Sequence, residues 1–176
     1  MKTVPKHLRD FLIPIFMTIV VPLGINRMEY RSFSRSLLAE STFQIGAGVM
    51  IGLVGLNLML SSIVLMIRIA KSTIMPWDPS QNLVVRGPYR HLRNPMIMGV
   101  IILMLGEALA LSSYGIAILA GVFFIGNTAY FIFFEEPSLE AQFGEVYRGY
   151  KANVPRWRPR LKPWHPEKDA HENISR

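Results

Sequence analysis

Two short polar stretches hold the residues of this chain that could do chemistry. The first, QNLVVRGPYRHLRNPMIMG from Gln81 to Gly99, puts amide, phenol, imidazole and guanidinium groups into one loop. Pro88 and Pro95 lack an N–H and turn the residues before them away from helix, which predicts an ordered turn from Arg86 to Pro95. Gly87 adds a point where backbone can approach a ligand. The second stretch, Glu135 to Arg160, opens on two adjacent carboxylates at the end of a hydrophobic run. Glu135 and Glu136 repel each other and the helix dipole, so that placement needs a compensating partner. The chain has no cysteine, which excludes disulfides, thiolate metal sites and thiol nucleophiles. Its histidines do not cluster and no catalytic triad appears, so no metal is expected and no catalytic residue is named. What remains is the binding and alignment of one soluble cofactor between the two stretches.

Hydrophobic runs must bring those stretches together. Of the 176 residues, 51% are hydrophobic, and the apolar residues are gathered into long uncharged segments. Phe43 to Ile67 is 25 residues without a charge, enough to cross a bilayer with some tilt. Met96 to Phe134 is 39 residues with Glu107 the only charge, which makes two spans turning at Leu111 to Gly115. Phe11 to Ile25 is a shorter run containing Pro14 and Pro22, read as a span, although it could also lie in the interface. The expected fold is therefore an all-α polytopic membrane helix bundle, a single domain over 1–176. Its spans are placed near 11–25, 43–67, 96–111 and 115–134, with a cap over 135–164. Lys and Arg divide sixteen to three between the two sides of such a bundle, which places both polar stretches in the cytoplasm. The net charge of +7 does not indicate nucleic acid, because the basic residues flank spans and no reader motif appears. Attraction to the anionic surface of the lipid bilayer accounts for it.

Other residues carry structural expectations. Gly48 and Gly52 make a G-x-x-x-G pair suited to close helix packing. Asn57 and Asn127 are expected to form interhelical hydrogen bonds. Glu107, costly at membrane depth, has a structural pairing or exposure at the far interface, or else a substrate contact. After Pro137, the apolar residues Leu139, Phe143, Val146, Tyr147 and Tyr150 predict one amphipathic helix, on the membrane surface or on the other loop, ending near VPRWRPR. Trp77 is expected as an interfacial anchor and Asp78 as a turn-maker.

The pattern G-P-Y-R-H-L-R-N-P-M-x-x-G, followed after two spans by F-E-E-P-S-L-E-x-x-F-G-E-x-Y-x-x-Y-x-x-x-V-P-R-W, resembles the membrane methyltransferases that include isoprenylcysteine carboxyl methyltransferase and phospholipid N-methyltransferases. The likeness covers roughly residues 43 to 160. It implies S-adenosyl-L-methionine as cofactor, held on the cytoplasmic side under the C-terminal segment, and a lipophilic or amphiphilic methyl acceptor arriving from the bilayer. By motif position the cofactor contacts are Gln81, Asn82, Leu83, Val84, Tyr89, Asn94, Pro95, Met96, Ile97 and Glu135, with Glu136 as second candidate. Arg93 or Arg90 would pair with the cofactor carboxylate or with the glutamates, and His91 would hold structure. Methyl transfer is an in-line displacement whose catalysis is mainly alignment and exclusion of water, which suits a chain without an acid–base set. Two positions depart from the family pattern. Ile97 stands where tyrosine is usual, and Phe131 stands where the isoprenylcysteine enzymes have an arginine for the acceptor carboxylate. The alternatives are phospholipid amine methylation, a sterol-reductase-like enzyme using a nicotinamide cofactor, and a non-catalytic membrane subunit.

Overall fold

The computed structural model describes residues 16–32, 41–70 and 83–165, and among these every regular element is helical. A wide π turn, Phe16–Val20, leads into α1 (Val21–Ser32). Helix α2 (Thr42–Leu65) continues through a second π turn, Met66–Ala70. A 3-10 turn, Gly87–Arg90, precedes α3 (Pro95–Ala110). Helix α4 (Tyr114–Tyr130) runs through a π turn, Phe131–Glu135, into α5 (Glu136–Phe143), and α6 (Glu145–Asn153) follows. The stretches Thr42–Ile69 and Tyr114–Phe143, of 28 and 30 residues, are each long and apolar enough to cross a bilayer, and α3 is apolar but shorter. Hydrocarbon takes about 20 helical residues to cross. A helix entering at Tyr114 needs no residue beyond Phe134 to cross it.

Hydroxyl caps set where the helices begin. Ser41 accepts from the Gln44 N–H at 3.1 Å and Ser113 from the Ile116 N–H at 3.2 Å, each satisfying a donor that the first turn leaves free. Glu29 of α1 reaches the α3–α4 turn, accepting from the Ser113 hydroxyl and, at 2.6 Å, from the Gly115 N–H. Gln44 donates to the Leu109 carbonyl at 3.0 Å and to the Ser112 hydroxyl at 2.8 Å, so the start of α2 lies beside the same turn. At the opposite end, Gly87 lies against Leu65. The last turns of α2, the start of α3 and the end of α4 therefore share one end of the bundle, called here the site end.

Helices α2 and α3 touch backbone to backbone. A Cβ on Gly48 would fall 2.5 Å from the Ala110 nitrogen, on Gly55 2.4 Å from the Leu103 nitrogen, on Gly99 2.5 Å from the Met59 nitrogen, and on Gly106 2.4 Å from the Gly52 nitrogen. The expected glycine packing is present, and it extends well past the Gly48–Gly52 pair. Beside it Met59, Ile63, Val100, Met104, Ala108, Ile116 and Ala120 form the buried core that joins α4 to the pair.

Four local expectations change. The helix at residue 25 does not stop but reaches Ser32, while residues 11–15 lie outside the described residues. Pro137 does not break the helix that starts at Tyr114. The Glu136 N–H bonds five residues back to the Phe131 carbonyl, so the proline falls where the ladder has already shifted register. The break comes instead at Gly144, whose φ of 54° suits glycine, and the single amphipathic helix becomes two. Asn127 bonds the Phe123 carbonyl of its own helix at 2.8 Å, and Asn57 is exposed, so neither ties two helices together as expected. Trp77 and Asp78 lie outside the described residues.

Candidate functional site

A cavity enclosing about 470 Å³, the open solvent at its mouth included, lies at the site end. Its lining comes from both polar stretches: Leu83, Val84, Tyr89, Arg93 and Asn94 from one, and Glu135, Leu139, Phe143, Tyr147 and Tyr150 from the other, with Met66 at the end of α2. Of the residues that suggested an amphipathic face, Leu139, Phe143, Tyr147 and Tyr150 pack on the loop in a cluster with Val154, Trp164, Leu83 and Val85, whereas Val146 is exposed.

The adjacent glutamates have different surroundings, and the π turn is the reason. It stacks Glu136 over Phe131 and leaves Glu135 to face the cavity. Glu136 is 5% exposed and sits among three cations. Arg93 Nη1 lies 2.8 Å from its Oε1, Arg156 Nε and Nη2 each lie 2.7 Å from the same oxygen, and Lys151 Nζ lies 3.3 Å from Oε2. Lys151 also donates to Glu140 at 2.8 Å. Glu135 has no cation of its own among the described residues. Burial, and then the neighbouring Glu136 charge, push its carboxyl up to about 7. The same environment acts on the phenols around it. Burial and the Glu135 charge raise Tyr89, and burial followed by Glu136 pushes Tyr147 up to about 12.

Arg93 is held beside the cavity, its side chain 10% exposed. Its contact with Glu136 is an ion pair and not an aligned hydrogen bond, and its Nε has no hydrogen-bond partner among the described residues. Asn94 stands at the N-cap of α3 but makes no capping bond, so its amide lines the cavity next to a helix N-terminus. A free guanidinium N–H, an amide and the positive end of a helix together favour an anionic group there.

The C-terminal strap, residues 155–164, is laced to the loop through backbone. Arg93 N–H donates to the Pro155 carbonyl at 3.0 Å, Arg160 N–H to His91 at 2.9 Å and Trp164 N–H to Arg90 at 3.0 Å. The Tyr150 hydroxyl donates to the Tyr89 carbonyl at 2.7 Å. His91 Nδ1 meets the Arg160 carbonyl at 2.7 Å, the structural duty expected of it.

Of the residues expected to bind cofactor, Leu83, Val84, Tyr89, Arg93, Asn94 and Glu135 line the cavity. Pro95, Met96, Ile97 and Glu136 are not among the lining residues. Pro95 is fully buried, Met96 packs on the helical core, Ile97 is half-buried, and Glu136 holds the ion cluster. Gln81 and Asn82 lie outside the described residues. Met66 was not anticipated, because in the sequence it is one more apolar residue at the end of a hydrophobic run. Glu107 lies far from this cavity, near the α3–α4 turn, half-buried and with Oε2 unpaired among the described residues.

A family model of the phospholipid methyltransferases matches residues 43–146. No curated protein and no solved structure matches the chain.

Proposed function

The chain belongs to the phospholipid methyltransferase family and is a membrane methyltransferase, and from that premise we propose that it moves the methyl group of S-adenosyl-L-methionine to an amphiphilic acceptor. The observation that carries this reading is the meeting of the two polar stretches around one cavity at one end of the bundle. When bound, the cofactor supplies an electrophilic methyl on a sulfonium, and the residues present suit its other groups. Glu135 accepts from the ammonium or the ribose diol. Arg93 Nε and the start of α3 receive the carboxylate. The backbone at Leu83 and Val84 reads the adenine edge, and Tyr89, Phe143, Tyr147 and Tyr150 give the cationic centre aromatic surroundings. With no acid–base set required, the contribution of the protein is alignment under the strap and removal of water. The Lys and Arg distribution orients this end toward the cytoplasm.

One observation bears on the acceptor. Phe131 is 6% exposed and meets the Trp157 ring edge-on at 5.9 Å, and Phe124 lies 5.1 Å from the same ring. Aromatic rings fill the place where a carboxylate acceptor would require a cation, which favours an amine-bearing phospholipid over a prenylated cysteine. Titration of detergent-solubilised protein with S-adenosylmethionine, S-adenosylhomocysteine and NADPH tests the cofactor. The first two bind and the third does not. Binding of NADPH alone would make the chain a reductase, and binding of none would make it a non-catalytic subunit.

A further inference from the structure

On the opposite side of the Gly87–Arg90 turn from the cofactor cavity lies an open groove of about 1020 Å³, the open solvent over it included, lined by Leu58, Pro88, Arg90, His91, Pro159 and Pro163 among others. Tyr89 faces the cavity while Pro88, Arg90 and His91 face the groove, so the turn is the wall between them. The groove is amphiphilic along its length. At its upper end the Gly87 backbone is level with Leu65, and Leu58 lies seven residues nearer the middle of α2, which is roughly 10 Å lower at 1.5 Å per residue. Below Leu58 the same helix face continues into the exposed apolar side chains Val54 and Ile51.

The upper end is basic. Among the described residues, the Arg90 side chain makes a single bond, from Nε to the Val85 carbonyl at 3.3 Å, which leaves its two terminal nitrogens for a ligand. His91 engages its Nδ1 with the Arg160 carbonyl, so Nε2 is the nitrogen it has left. Among the described residues no carboxylate lines the groove, and the adjoining strap carries Arg158, Arg160 and Lys162. An occupant must therefore be anionic at interface level and apolar about 10 Å deeper, where Leu58 lies.

We propose that this groove holds one anionic phospholipid, its phosphate on Arg90 and His91 and an acyl chain along Leu58, as a bound lipid distinct from the methyl acceptor. The reaction takes place beyond the turn, so this lipid is not consumed. It braces the loop that carries Tyr89 from behind.

The test counts lipids retained by the full-length chain in a neutral maltoside, by native mass spectrometry, during titration with dioleoylphosphatidylglycerol, dioleoylphosphatidylcholine or inorganic phosphate. Basic groups at interface level favour an anionic lipid over a zwitterionic one. One phosphatidylglycerol is thus expected to be retained at a concentration about tenfold lower than phosphatidylcholine. Arg90→Gln reduces that preference to about threefold or less. Leu58→Trp, which fills the apolar end and leaves the charges alone, lowers retention of both lipids. Glu135→Gln retains phosphatidylglycerol like the wild type, so loss of the methyl-transfer reading and loss of this one are told apart. Equal retention of the two lipids by the wild type, an unchanged preference in Arg90→Gln, or displacement by millimolar inorganic phosphate would overturn the proposal. So would lipid binding that appears only after residues 166–176 are removed, since the groove would then belong to that segment.

Discussion

The two ends of helix α3 are held by opposite means. Along its length and toward the α3–α4 turn it lies against α2 with glycine on both surfaces and main chain touching main chain. Around its first residues the neighbours are charges, phenols and a strap of irregular backbone. The glycine seam has no side chain that can move aside, so it fixes the helix pair as a rigid frame. The charged end is built from long side chains whose positions depend on one another, and a ligand entering there meets groups that can adjust. Rigidity in the membrane and adjustable charge at its surface divide the work of holding two distant stretches around one cavity.

Changes to the seam should have the largest effect. Gly106→Val places side-chain atoms where a Cβ alone would fall 2.4 Å from backbone nitrogen, and the cost should exceed about 3 kcal/mol. No folded protein should survive gel filtration in detergent. Gly46 stands on the same helix as the seam, but nothing lies within 4 Å of the place a Cβ would take there. It should accept alanine with a change under about 1 kcal/mol in thermal unfolding. If both variants behave alike, the seam is not the frame.

Next in size is the ion cluster. Glu136→Ala strands Arg93 and Arg156, whose side chains are 10% and 19% exposed, and should cost about 3 kcal/mol in detergent unfolding. It should also release the strap, seen as faster proteolysis after residue 154.

Glu135→Gln separates the neighbouring glutamates. It should leave the protein folded and no less stable while weakening S-adenosylmethionine binding roughly ten- to hundredfold, the value of a charged hydrogen bond. The pH dependence follows from a carboxyl raised from 4.5 to about 7. Between those values the folded protein keeps the proton that the unfolded chain has lost, so this group's contribution to stability is present below 4.5 and is lost as pH rises through 7. Cofactor binding runs the other way, because the cation needs the ionised form. Its affinity should fall below pH 7, toward tenfold per unit, and Glu135→Gln should flatten that slope in a calorimetric titration. Smallest of all, Tyr150→Phe removes the bond to the Tyr89 carbonyl and should cost about 1 kcal/mol.

The sequence was most legible where one helix carries its own signal. Gly48 and Gly52 announced a close contact, but Gly99 and Gly106 could not be matched to them without the register of two helices. The loop and the acidic pair were visible as chemistry because prolines and adjacent carboxylates are hard to explain otherwise. Which glutamate faces the cavity was ranked only by motif position, Glu135 before Glu136, since one wide turn decides it and no residue type in FIFFE marks such a turn. Pro137 was the natural place to end a helix, yet Gly144 proved to be the break, because the wide turn before the proline has already shifted the ladder while a positive φ is not continued.

The strap also sets an order of events during synthesis. Arg93 and Glu136 leave the ribosome well before Arg156, and until it arrives the loop lacks the backbone partners at Pro155, Arg160 and Trp164. The helices can insert in the bilayer while the cavity is still unfinished. A nascent chain of this kind cannot close its cavity before the strap has been translated.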